Sequence, residues 1–236
     1  MDTIDMIKYL PWDSEFYKLK IGSVCWAPKM QIEYVTQIAK SLDYDLLYIF
    51  AQHDTKAVDS KLVDCKVIYS KMLSEGLKDD SIQLIDNNVD RETLYKLALI
   101  SGKYSRFKLD TNFPNDSYNR MYSIWMEKSI NGNMADYVFV HKNHETIDGM
   151  ITIKIENDIA NIGLIAVDYA SQGKGIGTKL IQSIENFLYQ KIKGIKYIQV
   201  ATQLANHNAC HLYKKNNFEV ITITDIYHHW LKDIRL

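Results

Sequence analysis

The sequence predicts an α/β protein built on a mixed sheet, and three observations carry that reading. An apolar run, Ile162 to Val167, breaks into a loop holding Gly173, Gly175 and Gly177 and then opens a helix. From Tyr137 onward the segments run strand, strand, strand, glycine loop, helix, strand, helix, strand. Before them lies a smaller α/β unit with short polar turns and no long linker, so the chain divides into an N-terminal unit over residues 1–101 and a larger core over residues 102–236.

Taken in order, Leu10-Pro-Trp-Asp-Ser-Glu-Phe16 reads as a structural turn, followed by a strand over Leu19 to Trp26. Ile32, Val35, Ile38, Ala39 and Leu42 recur at helical spacing within Gln31 to Leu42. Leu46 to Ala51 and Cys65 to Met72 are short buried-strand candidates, and Arg91 to Ile100 a helix stopped by Ser101-Gly102. Gly102 to Asn115 is irregular, aromatic and basic, and a long loop in a compact domain is more often functional than accidental. A helix over Tyr118 to Ser129 leads into a meander of Tyr137 to His141, Gly149 to Ile155 and Ala160 to Val167, with turns at Asn143-His144 and Asn157-Asp158. After the glycine-loop helix, Lys196 to Ala201 is rich in β-formers, and Asn208 to Asn216 is helical. A last strand holds His228 and His229, which alternation sends to opposite faces.

Composition sets the outer limits. The 236 residues carry 28 basic and 29 acidic side chains, a net charge of −1, so nothing points to an extended nucleic-acid or membrane surface. Cys25, Cys65 and Cys210 show no Cys-x-x-Cys spacing, which argues against a disulfide scaffold or structural zinc. His207 and His211 share a helix face near Cys210, but no fourth ligand is spaced to join them, so no metal is expected. The first residues, Met-Asp-Thr-Ile-Asp, lack a leader's succession of basic, apolar and small residues, and no apolar run reaches the ~18 residues of a membrane span. A cytoplasmic enzyme is the expectation. Sixteen tyrosines and four tryptophans suit a site that stacks on rings or sugars.

The glycine loop tests specific chemistries by spacing. A P-loop needs two glycines four residues apart followed by Lys-Ser/Thr, which is absent. A dinucleotide fingerprint needs glycine where Thr178 or Leu180 stands. The pattern Gln/Arg-x-x-Gly-x-Gly/Ala does fit, as Gln172, Gly173, Lys174, Gly175, Ile176 and Gly177. Unpaired N–H groups at a helix start, approached through glycines, suit a pyrophosphate.

That loop resembles the acetyl-coenzyme A loop of the GNAT superfamily of N-acetyltransferases. Asn206-His-Asn-Ala-Cys-His-Leu-Tyr213-Lys-Lys-Asn-Asn-Phe218 resembles the superfamily's second signature, Asn-x-x-Ala-x-x-Leu-Tyr-x-x-x-Gly-Phe. Asn217 stands where glycine is usual and also tolerates the left-handed conformation of a helix end. Asn206 lies three before Ala209 and Asn208 directly before it, so the contact to the carrier stays open between them. The resemblance implies a GNAT core, acetyl-CoA as co-substrate and a splay between the strand before the glycine loop and its neighbour. Backbone groups of Leu164, Ile165, Ala166 and Val167 would then meet the pantetheine arm, with Ile165 or Ala166 N–H polarising the thioester carbonyl. Tyr213 takes the place of the family's general acid, since a phenol is suited to protonating a thiolate. No residue declares itself as the base.

Three further pieces resemble one branch, the bacterial dTDP-4-amino-4,6-dideoxygalactose (TDP-fucosamine) N-acetyltransferases. They are Trp12-Asp13-Ser14-Glu15-Phe16-Tyr17; Tyr104-Ser105-Arg106-Phe107 with Asp110 and Phe113-Pro114; and Gln199-Val200-Ala201-Thr202-Gln203. The branch implies acetylation of a nucleotide-linked deoxyamino sugar for surface polysaccharide. Lys103, Arg106 and Lys108 would grip its diphosphate, Tyr104 and Phe107 stack on base or sugar, and Trp12, Asp13 and Phe16 enclose the sugar. The N-terminal unit would be a partial GNAT-like half, and a homodimer the candidate assembly. The alternatives are a GNAT acting on another small amine, an aminoglycoside or a peptide, and a non-catalytic CoA-binding module.

Overall fold

The computed structural model describes residues 6–55 and 60–232. The expectation drawn from the first five residues lies outside them. One sheet runs through the described chain. Its strands are β1 (Lys8–Tyr9), β2 (Ile21–Cys25), β3 (Leu46–Gln52), β4 (Lys61–Met72), β5 (Ile82–Leu84), β6 (Tyr137–Asn143), β7 (Thr146–Glu156), β8 (Ile159–Val167), β9 (Tyr197–Gln203) and β10 (Glu219–Trp230). Their order across the sheet is β1-β2-β3-β10-β4-β9-β8-β7-β6-β5. The pairs β2–β3 and β8–β9 are parallel and the others antiparallel. The predicted mixed sheet is therefore present.

The strand order interleaves the two parts of the chain. β10, the last strand, pairs with β3 through Tyr227↔Ile49 and with β4 through Asp225↔Cys65, while β4 pairs with β9 through Val67↔Thr202. An early strand thus separates two late ones, and the sheet continues without a break across residue 101.

Helices cover both faces, as a sheet buried on two sides requires. On one face, α1 (Pro11–Tyr17), α4 (Arg106–Leu109) and α5 (Ser117–Ile130) pack Tyr17, Phe107, Met121 and Tyr122 against Leu46 and Tyr48. Beside them α3 (Arg91–Ser101) buries Leu94, Leu97 and Ala98 against Val138, Met150 and Ala166. On the other face, α6 (Ile176–Lys191) and α7 (His207–Lys215) lay Leu180, Ile184, Leu188 and Tyr213 on Tyr69, Ile151, Ile162 and Val200. There too α2 (Ile32–Ser41) sets Val35 and Ala39 on Leu47 and Ile49.

Differences from the sequence reading are local. Leu10 to Phe16 contains a helix rather than a turn, with Pro11 in its first turn, where a missing N–H costs no hydrogen bond. β4 starts at Lys61, ahead of the expected Cys65, and Gly102 to Asn115 contains the short helix α4, capped by Ser105. That stretch is fastened by Asp110, whose side chain is wholly buried. Its carboxylate accepts from His228 Nδ1 at 2.6 Å, Trp230 Nε1 at 2.9 Å and Lys61 Nζ at 3.2 Å. Burial alone would raise the Asp110 carboxyl, but the bonds from His228 and Trp230 outweigh it and hold the group well below the usual range. His228 and His229 do face opposite ways: His229 bonds Thr36 and Ser60 on the α2 side, each at 2.8 Å.

Candidate active site

The site begins where β8 and β9 separate. Their parallel pairing runs from Ile159↔Tyr197 to Ile162↔Val200 and stops. A bulge explains the stop. Ile153 pairs with Ile162 but Ile151 with Ile165, so two residues of β8, Gly163 and Leu164, oppose Thr152 alone. The Leu164 N–H donates to Thr152 Oγ1 at 2.8 Å, so the hydroxyl replaces the ladder bond the bulge removes. An ideal Cβ on Gly163 would lie 3.0 Å from that oxygen, leaving a side chain little room.

Alternation then fixes which backbone groups look into the gap. Leu164 N and Asp168 N both point at β7, the latter donating to Asp148 O at 2.8 Å. Ala166 between them follows suit, so Ile165 and Val167 turn their N–H and C=O groups toward the missing neighbour. Across the gap, Leu204 N donates to Cys65 O at 2.8 Å, and the same alternation leaves Ala201 and Gln203 facing inward. Of the Ile165 and Ala166 N–H groups, the alternation turns that of Ile165 into the gap.

The gap opens into a cleft of about 780 Å³ that passes through the sheet. At one end stand Gln172, Gly173, Gly175, Ile176 and Gly177. Gly173 and Gly175 have φ of +79° and +82°, and a Cβ on either would meet nothing within 4 Å. These left-handed residues therefore border open space, and Gly175 caps the 16-residue α6 without a side-chain cap for its first N–H groups. Gly177 answers to packing instead, since its Cβ would stand 3.0 Å from Leu212 of α7. Gln172 Nε2 donates to Val167 O at 3.0 Å, tying the loop to the end of β8. Lys174 is exposed beside the loop without lining the cleft.

Leu164, Ile165, Ala166 and Val167 form one wall, and Asn206, Asn208 and Tyr213 belong to the other. Asn206 is engaged, its Oδ1 capping Ala209 N at 3.3 Å and its Nδ2 reaching Thr202 Oγ1 at 3.4 Å. Asn208 is exposed at the cleft, which Asn206 also lines. Asn217 has φ +63°, the left-handed end expected of it. Tyr213 is 2 % exposed, with its ring against Tyr69 and Phe218 at centroid distances of 5.5 and 5.8 Å. Burial, then the neighbouring Cys210 and Tyr69, push its phenol far above the ordinary value, so the hydroxyl stays protonated.

Of the residues expected to meet an acceptor, Lys103 lines the cleft, its ammonium 4.9 Å from the Tyr104 ring centre and 5.6 Å from that of Tyr169. Trp12 does not line the cleft; it is stacked on Phe16 at 5.2 Å and lies 6.3 Å from Trp125, which does. Arg106 and Phe107 turn inward: Phe107 is buried, and the Arg106 guanidinium lies 5.0 Å from the Tyr48 ring and 4.2 Å from Phe107. Sequence reasoning missed Asp64, which feels the Arg106 charge and faces Gln203, because its placement depends on β4 running next to β9. His211 lines the cleft but joins no group of three converging metal-type side chains among the described residues. His53, Cys65 and Asp225 do converge, and we read them as a hydrogen-bonded cluster, with His53 Nδ1 and Asp54 N bonding the Asp225 carboxylate at 2.8 and 3.1 Å.

Comparison with known proteins agrees with this geometry. Residues 105–218 match the model of the acetyltransferase (GNAT) family. No curated protein matches the chain by sequence. Among solved structures, a GCN5-related N-acetyltransferase from Sphaerobacter thermophilus superposes with a TM-score of 0.61 at 13% identity, over 96% of this chain and 76% of its own. A functionally unknown conserved protein from Staphylococcus epidermidis gives 0.65 at 15% identity, over 94% and 88%. A tandem GNAT protein from the clavulanic acid biosynthesis pathway gives 0.55 at 11% identity, over 90% and 76%.

Proposed function

We propose, from the match of residues 105–218 to the acetyltransferase (GNAT) family model, that the protein transfers the acetyl group of acetyl-CoA to the amine of a nucleotide-linked deoxyamino sugar of the dTDP-4-amino-4,6-dideoxygalactose type. The observation that carries the transfer is the unpaired stretch of β8 and β9 leading from the glycine loop to Tyr213. The loop Gln172 to Gly177 and the start of α6 would hold the pyrophosphate, with Lys174 adding charge at the edge. Ile165 and Val167 on one side, and Ala201 and Gln203 on the other, would bond the pantetheine arm as an added strand does.

The chain's residues then meet each demand of the reaction. Ile165 N–H stabilises the charge growing on the carbonyl oxygen as the amine nitrogen bonds to carbon. As the C–S bond breaks, Tyr213 hands its proton to the thiolate. So weak an acid gives up a proton only if it regains one in the same event, and the proton leaving the new amide nitrogen supplies it. Asn208 would steady the carrier beside it.

The nucleotide-sugar acceptor is favoured by the rim. Lys103 over Tyr104 and Tyr169, Arg120 over Phe16 at 5.0 Å and Lys128 over Trp12 at 5.9 Å place cations against rings that can stack on a base. Arg106 and Phe107 would serve deeper in, beneath the sugar. We place residues 102–236 as the catalytic domain and residues 1–101 as a partial GNAT-like half, a division favoured by the likeness to a tandem GNAT protein. The reaction would belong in the cytoplasm.

The test is thiol release from acetyl-CoA over a panel of amines. The dTDP-linked 4-amino sugar should be preferred over an aminoglycoside and a peptide amine by kcat/KM. Preference for either of those would replace the acceptor assignment, and release with no amine would leave a CoA-binding module.

A further inference from the structure

The reaction needs a neutral amine, and the sequence offers no base. The candidate lies where β4 outruns β9. Their pairing ends at Lys66↔Gln203, at the open end of the gap, while β4 continues back to Lys61. Asp64 is in that overhang, opposite Ile226 of β10 and therefore on the face covered by α1, α4 and α5. Its side chain is inside the protein, the residue being 8 % exposed, yet Oδ1 has no hydrogen-bond partner among the described residues. The Nε of Arg106, above it on α4, is likewise buried and unpartnered. The two opposite charges act on each other without forming an ion pair, and they lie just behind Gln203 and Tyr122, which line the cleft. Buried charges left with unused hydrogen-bonding capacity are a poor structural arrangement, because burial is offset only when the remaining groups are satisfied. They form a good receptor for an ammonium group on one side and a polar oxygen on the other.

We propose, on the basis of the acetyltransferase reading above, that Asp64 is the general base: its carboxylate receives the acceptor's ammonium and takes one proton from it. Gln203, which lines the cleft and faces the Asp64 carboxylate, marks the way from the thioester to this group. The proton passes from Asp64 to solvent. The freed lone pair forms the C–N bond, the C–S bond breaks, and the nitrogen's second proton is the one relayed through Tyr213 to the thiolate. The sum is one amide, one thiol and one released proton.

The surroundings suit the role. Burial raises the Asp64 carboxyl to about 6, although Arg106, Gln203 and Lys66 act against the rise. Lys66 shares β4 with it, Arg106 faces it from α4 and Tyr122 from α5. One layer on, around Arg106, are Asp13 on α1, Tyr48 on β3 and His228 on β10. A base titrating close to the working pH combines adequate basicity with availability.

The experiment compares wild type, Asp64→Asn and Asp64→Glu by kcat/KM for the amine against pH, by acetyl-CoA calorimetry and by melting at pH 8, with a ¹³C NMR titration of the wild-type carboxyl. Wild-type kcat/KM should fall tenfold per pH unit below about 6, and the carboxyl should titrate there. Asp64→Asn should lose that limb and roughly 100- to 10,000-fold in kcat while binding acetyl-CoA normally. It should melt no lower than wild type, since a carboxylate ionised against its burial destabilises the fold above its raised value. Asp64→Glu should recover part of the rate. A carboxyl titrating near 3.8, an Asn variant within tenfold of wild type, or one that melts lower with an unchanged pH profile would overturn the assignment. An active wild type with an indifferent Asp64 refutes only the base. A wild type that binds acetyl-CoA and acetylates no amine refutes the acetyltransferase reading with it.

Discussion

Thr152→Val removes one oxygen from a 2 % exposed residue and keeps its shape, which isolates the hydroxyl that holds the β8 bulge. The Leu164 N–H then loses its acceptor in a half-buried site, at a cost of about 1–3 kcal/mol. That cost falls on the bulged conformer. If β8 can relax toward regular pairing with β7, its far end swings toward β9 and the gap narrows. Losing ~1–2 kcal/mol of preference for the open form weakens a ligand that needs it by about 5- to 30-fold. Urea unfolding should show a lower midpoint at unchanged slope, and calorimetry a correspondingly higher Kd for coenzyme A. Thr152→Ser, which retains the oxygen, should bind nearly as wild type. Full-affinity binding in a folded but destabilised Thr152→Val protein would refute the reasoning: the hydroxyl would then stabilise the fold without setting the gap.

Gly175→Val forces a branched side chain into φ +82° at the mouth of the cleft, a strain of about 1–3 kcal/mol before any clash with phosphate, and should sharply weaken coenzyme A binding by calorimetry. Lys103→Ala should raise KM for the sugar nucleotide several-fold with that for acetyl-CoA nearly unchanged. Arg106→Ala should do the same, and equal effects on both substrates would mark either residue as structural. Tyr213→Phe should lower kcat by roughly 100- to 10,000-fold without changing acetyl-CoA affinity. Because burial pushes the Tyr213 phenol upward, it stays protonated as pH rises, so the kcat profile should show no descending limb from this group below about pH 10.

Much of the core was legible because its signals are local. Three glycines at fixed offsets announce a helix start, and the apolar repeat from Leu180 to Leu188 names the face that α6 buries. The left-handed Asn217 followed from its place at a helix end. What escaped depends on neighbours chosen in three dimensions. Alternation says that Asp64 and Lys66 share a face, but it cannot say that β4 lies between β9 and β10, more than a hundred residues away. The bulge at Gly163 and Leu164 was hidden because an apolar run looks the same whether or not one residue slips its register. Arg106 was expected to meet a diphosphate because it stands in a basic, aromatic stretch. Only the packing of α4 over β4 turns it inward, onto Tyr48. Pro11 was the one overlooked local signal, since proline in a first turn favours the helix α1.

The central claim is that the gap between β8 and β9 seats the thioester between Ile165 and Tyr213, and a crystal structure with acetyl-CoA bound tests it most directly. The account predicts the pyrophosphate on the N–H groups of Gln172 to Gly177 and the thioester oxygen about 2.7–3.1 Å from Ile165 N. It also predicts the sulfur beside the Tyr213 hydroxyl. A carrier bound outside the gap, or a thioester whose oxygen faces away from Ile165 with Tyr213 out of reach of sulfur, would contradict it.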